Sequence, residues 1–315
     1  MTRLRHAAAL AFAACVTVAG LTMAGVAAAE EGGPLTGTLK AVGDRGTVLI
    51  GFREDAPPFS FRNPGGQPVG LSLDICRGIA ADIAVALNRE LIEAGAPAWQ
   101  TGVRIAYVPV APDARLPMVA SGAVDLECGS TTATDARART VAFSPVFFLA
   151  GTKLLAPAGG VTGLAGLAGK TVVVGAGTTN AEVMRRLAAR GAPAFTVAEE
   201  PTLDAAYARL ASGEADAFAS DDILLAGMAA LRPDGARFRI VGDFLSYEPY
   251  AITLRRDDPA FSALVRGSFV RMAQSGGLTA SYGRWLTGRL PNGASLNLPM
   301  SAQLEVMYSA LGESR

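Results

Sequence analysis

Half of the 315 residues are hydrophobic, and a chain of this length exceeds the roughly 250–300 residues at which single cores stop growing, so two lobes are expected. Basic and acidic residues balance at 28 each; Arg3 and Arg5 lie in the first 29 residues, leaving 26 basic against 28 acidic side chains beyond them. That balance argues against a nucleic-acid partner, which requires a basic face.

Arg3 and Arg5 precede an uncharged stretch, Ala7 to Ala29, that ends in Ala27-Ala28-Ala29 before Glu30-Glu31. A positive start, an apolar middle and a small-residue end read as a secretory signal peptide over residues 1–29, cleaved after about Ala29. A retained membrane anchor is the alternative, since the stretch approaches the roughly 20 residues needed to span a bilayer. Cys15 sits too early for lipidation. Export places the mature chain in an oxidising compartment with two cysteines, Cys76 and Cys128. Cys76 shares a helical stripe with Ile79, Ile83 and Leu87, and Cys128 alternates with Val124 and Leu126, so both face apolar interiors. A disulfide is expected; two separate buried thiols are the alternative. The only histidine, His6, lies in the signal, which excludes a histidine-based triad or a histidine-ligated zinc site, and no pattern calls for a cofactor.

The mature sequence alternates strand and helix patterns. Val48–Phe52 reads as a strand and Leu73–Ala94 as an amphipathic helix opened by Ser72. A strand over Val103–Val108, a short helix over Arg115–Ala120 and a strand over Val124–Cys128 complete the first series. The rhythm restarts with a strand at Lys170–Val174, a helix at Ala181–Arg190 and a strand at Phe195–Val197. A helix at Leu203–Ala211 and a strand at Ala215–Ala219 follow. This alternation predicts parallel sheets covered by helices, in two α/β lobes.

Polar clusters recur where strands end, which is where open α/β sheets bind ligands. Arg53 follows the first strand and Gly129-Ser130-Thr131-Thr132 the third; Gly177-Thr178-Thr179 and Asp221-Asp222 follow strands of the second series. Two clusters from each series place a ligand between the lobes. Ser130, Thr131 and Thr132 offer hydroxyls suited to a carboxylate, although such turns are also ordinary. Thr178 and Thr179 open a helix whose N–H groups attract an anion, with plain N-capping as the alternative. One of Asp221 and Asp222 caps the following helix and the other is free to hold an ammonium group. Arg53 reads either as a ligand group or as a loop arginine pairing its neighbours, and Arg137 is equally undistinguished by itself. Phe59, in Pro57-Pro58-Phe59-Ser60-Phe61, reads as core packing or as a cleft wall.

Together these residues resemble the extracellular solute-binding proteins of family 3, on their glutamate/aspartate-binding side. The matching phrases are Gly51-Phe52-Arg53-Glu54, Pro58-Phe59-Ser60-Phe61, Asp125 to Thr132, Gly177-Thr178-Thr179, Asp221 to Gly227, Glu248-Pro249-Tyr250 and Leu254 to Asp258, in order over about residues 36 to 300. The resemblance implies a type II periplasmic-binding fold, two α/β lobes joined by two strand crossovers near Pro145–Leu155 and Ser246–Leu254. The implied divisions are residues 30–148 and 249–290 for lobe 1, 149–248 for lobe 2 and 291–315 for a C-terminal extension. It further implies that Arg137 clamps an α-carboxylate with Ser130, Thr132 and Thr178, that Asp221 takes the α-ammonium, and that Arg53 and Arg115 select a side-chain carboxylate. Thr131, Thr179, Phe59 and Tyr250 complete the implied site. Relatives that take acidic ligands carry a serine where this chain has Pro112 and a histidine where it has Leu203. The implied function is a monomeric, periplasmic, non-enzymatic amino-acid-binding subunit that delivers its ligand to an ABC permease in the inner membrane. An asparagine- or glutamine-binding protein, or a cyclohexadienyl dehydratase-like enzyme with Glu182 as its acid-base group, are the rivals.

Overall fold

In a computed structural model, residues 35–92, 96–97 and 99–313 are described; the expected signal peptide lies outside them. Two sheets organise the chain. The first has six strands in the order Leu91–Ile92, Val103–Pro109, Thr47–Phe52, Leu126–Glu127, Thr253–Arg255 and Val141–Phe143. Its first four strands run parallel, and Thr253–Arg255 joins them antiparallel. The second has five strands in the order Thr196–Glu200, Thr171–Gly175, Ala217–Asp221, Thr152–Pro157 and Phe238–Val241, parallel in its first three and antiparallel beyond. These are two α/β lobes, and the chain crosses between them twice. The crossing strands Phe148–Ala150 and Glu248–Tyr250 pair antiparallel, with Tyr250 opposite Phe148.

Strands buried on both faces need continuous apolar runs, and Val172, Val173 and Val174 are all fully buried in the second sheet. The helix expected over Leu73–Ala94 is shorter, Leu71–Ala86. Its apolar stripe continues to Leu87, but Asn88 turns to a positive φ of 51° and the chain then pairs Leu91 with Val103 as a sheet edge. Ser72 does not open it either. The cap position belongs to Gly70, at φ 139°, where a Cβ would stand 2.1 Å from the Phe59 carbonyl oxygen. Ser72 instead donates its hydroxyl to the Gly129 carbonyl at 2.7 Å, tying this helix to the loop that carries Ser130.

A disulfide joins Cys76 to Cys128, with Cα atoms 6.3 Å apart, and anchors the same helix to the same loop. Closing a loop of 52 residues removes about 4 kcal/mol of unfolded-chain entropy in the simplest model. The C-terminal helix Ala302–Glu313 packs on the helix Pro259–Gln274, and Tyr308 donates to the Phe147 carbonyl at 2.8 Å, just before the first crossing strand. No helix among the described residues is long and apolar enough to cross a membrane.

Candidate functional site

Parallel strands deliver their C-terminal ends to one edge of each sheet, and the two edges face each other. Lobe 1 contributes Arg53, Arg115, Ser130 and Thr132 to a small enclosed cavity; lobe 2 contributes Thr178, Thr179, Asn180, Leu203, Ser220, Asp221 and Leu224. The lobes meet around it. Gly177 in lobe 2 comes so close to Asp113 in lobe 1 that a Cβ there would stand 2.8 Å from the Asp113 Cα. Gly177 also has φ 70°, a conformation that suits glycine.

The charges divide by lobe. Arg115 is buried, its Nε has no hydrogen-bond partner, and burial followed by the neighbouring Arg137 charge pushes its pKa down to about 9. Arg53 is also buried, but its Nη2 donates to Asp55 Oδ1 at 2.6 Å. Arg137 does not line the cavity. Its Nη1 donates to the Thr132 carbonyl at 3.0 Å and its Nη2 reaches the Gly177 carbonyl of the other lobe at 3.5 Å, while burial lowers its pKa.

Asp221 supplies the opposite charge. It ends the strand Ala217–Asp221 and stands at the N-cap of Asp222–Leu231, yet its carboxylate does not cap that helix. Oδ1 accepts from Asn180 Nδ2 at 2.7 Å, and Oδ2 accepts from the Tyr250 hydroxyl. Asp222, the first residue of that helix, accepts from the Gly151 amide at 3.2 Å and interacts with the Ile223 amide of the first turn. Burial, then the Glu248 charge, pushes the Asp221 pKa up to about 7.

The threonine hydroxyls are already engaged, whereas the cavity-lining Ser220 Oγ is buried without a partner. Thr132 and Thr179, one from each lobe, both donate to Glu248 Oε2, at 2.7 and 2.6 Å, so a carboxylate on the second crossing strand bridges the lobes. Thr131 donates to Glu127 Oε2 at 2.7 Å and lies outside the cavity lining. Thr178 caps its helix, accepting from the Ala181 amide at 3.1 Å and donating to the Gly175 carbonyl at 2.6 Å. Ser130 lines the cavity. Phe59 and Tyr250 pack edge to face at 5.0 Å, with Phe147 and Phe148 around them; Phe59 belongs to this aromatic core rather than to the cavity wall.

Asp55, Glu127, Asn180 and Glu248 hold the site residues Arg53, Thr131, Asp221 and Thr132, roles that the sequence does not mark, although each lies within or beside a phrase of the family resemblance. Glu127 is fully buried with Oε1 unpartnered. Among the described residues no group of three or more His, Cys, Asp and Glu side chains could hold a metal ion.

Residues 48–288 match the model of bacterial extracellular solute-binding proteins, family 3. The chain belongs to that family. It is 31% identical over 296 residues to the glutamate/aspartate import solute-binding protein of Salmonella typhimurium, covering 93% of this chain and 94% of the relative. It is 32% identical over 296 residues to the L-glutamate/L-aspartate-binding protein of Pseudomonas aeruginosa, covering 93% of each. Among solved structures, an ancestral amino acid-binding protein, a precursor of cyclohexadienyl dehydratase, superposes with a TM-score of 0.65 at 25% identity, over 79% of this chain and 99% of that one. The fold is that of the type II periplasmic-binding proteins.

Proposed function

We propose that this family 3 protein is the amino-acid-binding subunit of an ABC importer and that its ligand is glutamate or aspartate. The observation that carries the reading is the division of charge around one cavity: Arg115, buried with Nε unpartnered, on lobe 1, and Asp221 on lobe 2. An unpaired buried guanidinium is costly, and a ligand carboxylate relieves it. Asp221 takes the α-ammonium. Arg115 and Arg53 face the side-chain carboxylate, and Ser130 receives the α-carboxylate with Arg137, which stands behind the cavity lining at the seam and must turn its Nη2 from the Gly177 carbonyl to reach it.

Binding is coupled to closure. Open and closed lobes exchange by hinge motion at Phe148–Ala150 and Glu248–Tyr250, and a ligand that touches both lobes favours the closed form. Of the described residues from Thr36 onward, those up to 148 and 249–290 move as one lobe and 149–248 as the other, with those beyond 290 carried on the first. The relatives' names support import, and we read the mature protein as a periplasmic monomer, exported by its first 29 residues, that docks on a permease in the inner membrane. The site is for binding, not catalysis: Glu182, the acid-base candidate of the dehydratase rival, is exposed and outside the cavity lining.

Titration calorimetry with glutamate, aspartate, glutamine and asparagine, alongside a turnover assay with prephenate, tests the reading. One-to-one binding that favours the two acids, without prephenate turnover, is the expected result. Binding confined to neutral amino acids would overturn the ligand, and turnover would overturn the absence of catalysis.

A further inference from the structure

Asp55 lies two residues beyond Arg53 on the short strand Asp55–Ala56 and is 8% exposed. Its Oδ1 accepts from Arg53 Nη2 at 2.6 Å. Its Oδ2 accepts from the Leu203 amide at 2.6 Å and more weakly from the Asp204 amide at 3.4 Å. Leu203 opens the helix Leu203–Ala211 in lobe 2, whose next amide, Ala205, is capped by Thr202 at 3.0 Å. Asp55 therefore joins a guanidinium of one lobe to the helix N-terminus of the other. Arg53 lines both the ligand cavity and a separate outer pocket; of these two spaces, Asp55 lines only the outer one. The carboxylate thus compensates Arg53 without occupying the ligand's place.

We infer that Asp55 sets how strongly the site discriminates an acidic side chain from its amide. The inference rests on the proposed reading that Arg53 and Arg115 face the ligand side chain. Two uncompensated buried guanidinium groups would reject an amide, because both charges would be left unpaired in the closed cleft. Asp55 gives Arg53 a permanent counter-charge, so only Arg115 still requires an anion from the ligand. The same negative charge, held beyond Arg53, repels an incoming carboxylate. Both effects lower the preference for acid over amide below what the two arginines alone would impose. The helix amides fix Asp55 in place, so the compensation is built into the closed form.

The test is the ratio of glutamate to glutamine affinity in Asp55→Asn, measured by calorimetry at pH 8 and low salt. Asparagine preserves the shape and an acceptor for the Leu203 amide while deleting the charge. The ratio is expected to rise at least tenfold, and Asp55→Glu, which keeps the charge, should stay within threefold of wild type. An unchanged or lower ratio in Asp55→Asn, or an equal rise in Asp55→Glu, overturns the inference. Should Asp55→Asn fail to melt cooperatively, Asp55→Ser is read by the same criterion. A wild-type protein that binds neither glutamate, aspartate nor their amides removes the underlying reading of the cavity, an outcome distinct from binding with an unmoved ratio.

Discussion

Replacing Asp221 by asparagine should weaken the ligand and stabilise the empty protein at the same time. Burial, then the Glu248 charge, holds the Asp221 carboxyl pKa up at about 7, against an ordinary value of 3.8. A raised carboxyl pKa means that the unfolded chain loses its proton first as pH rises. The stability this group contributes is therefore complete below about pH 4 and lost as pH climbs through about 7. A displacement of roughly 3 pH units corresponds to about 4 kcal/mol above neutrality. Asparagine cannot ionise, so it escapes that penalty, less the roughly 1 kcal/mol of a hydrogen bond from Tyr250 or Asn180 that it no longer accepts. A gain of roughly 2–3 kcal/mol should raise the melting temperature of the empty protein by about 4–10 °C at pH 8, with little change near pH 4. The ligand loses a charge-assisted bond to its ammonium, roughly 1.5–3 kcal/mol, so Kd should rise about 10- to 150-fold at pH 8. That ratio should shrink at pH 5.5, where the wild-type carboxylate must first be deprotonated. Scanning calorimetry and ligand titration at the three pH values read both effects. Wild-type affinity in the variant, or a Kd ratio independent of pH, would refute the reasoning.

Other perturbations probe the remaining parts of the site. Tyr250→Phe removes the hydroxyl that donates to Asp221 Oδ2, so the Asp221 titration, read as proton release on ligand binding in buffers of different ionisation enthalpy, should move to higher pH. Arg115→Met should weaken glutamate about 10- to 150-fold, the worth of one lost charge-assisted bond, while raising the melting temperature of the empty protein. Gly177→Ala places a Cβ 2.8 Å from the Asp113 Cα, so small-angle scattering with saturating ligand should show incomplete closure and titration a weaker Kd. Cys76→Ser with Cys128→Ser should cost about 4 kcal/mol in denaturant unfolding, with the ligand still bound by the fraction that folds.

Much of the fold was legible because it rests on local periodicity. The Leu203–Ala211 helix lies where its pattern predicts, and Val172 to Val174 form a strand of the second sheet. Residues of the polar clusters at the strand ends, Arg53, Ser130, Thr132, Thr178, Thr179 and Asp221, line one cavity between the sheets. What the sequence concealed was partnership at long range. Thr132 and Thr179 look like ligand hydroxyls, but Glu248, 116 and 69 residues further on, takes both. Asp55 stands beside Arg53 in sequence, which suggests a solvated pair; its burial follows from the Leu203 amide, 148 residues away. The helix expected to reach Ala94 failed for a different reason: the apolar stripe persists through Leu87, and only the Asn88 backbone marks the stop. The resemblance marked Arg137 as a site residue, but not that its guanidinium also donates to two backbone carbonyls, Thr132 and Gly177, at the seam between the lobes.

The most direct trial is a crystal structure grown with glutamate. The ligand's ammonium should lie within hydrogen-bond distance of Asp221 and its side-chain carboxylate on Arg115, with both lobes shut upon it. Glutamate found elsewhere, or seated in the cleft with its ammonium turned from Asp221, would contradict the assignment of opposite charges to opposite lobes.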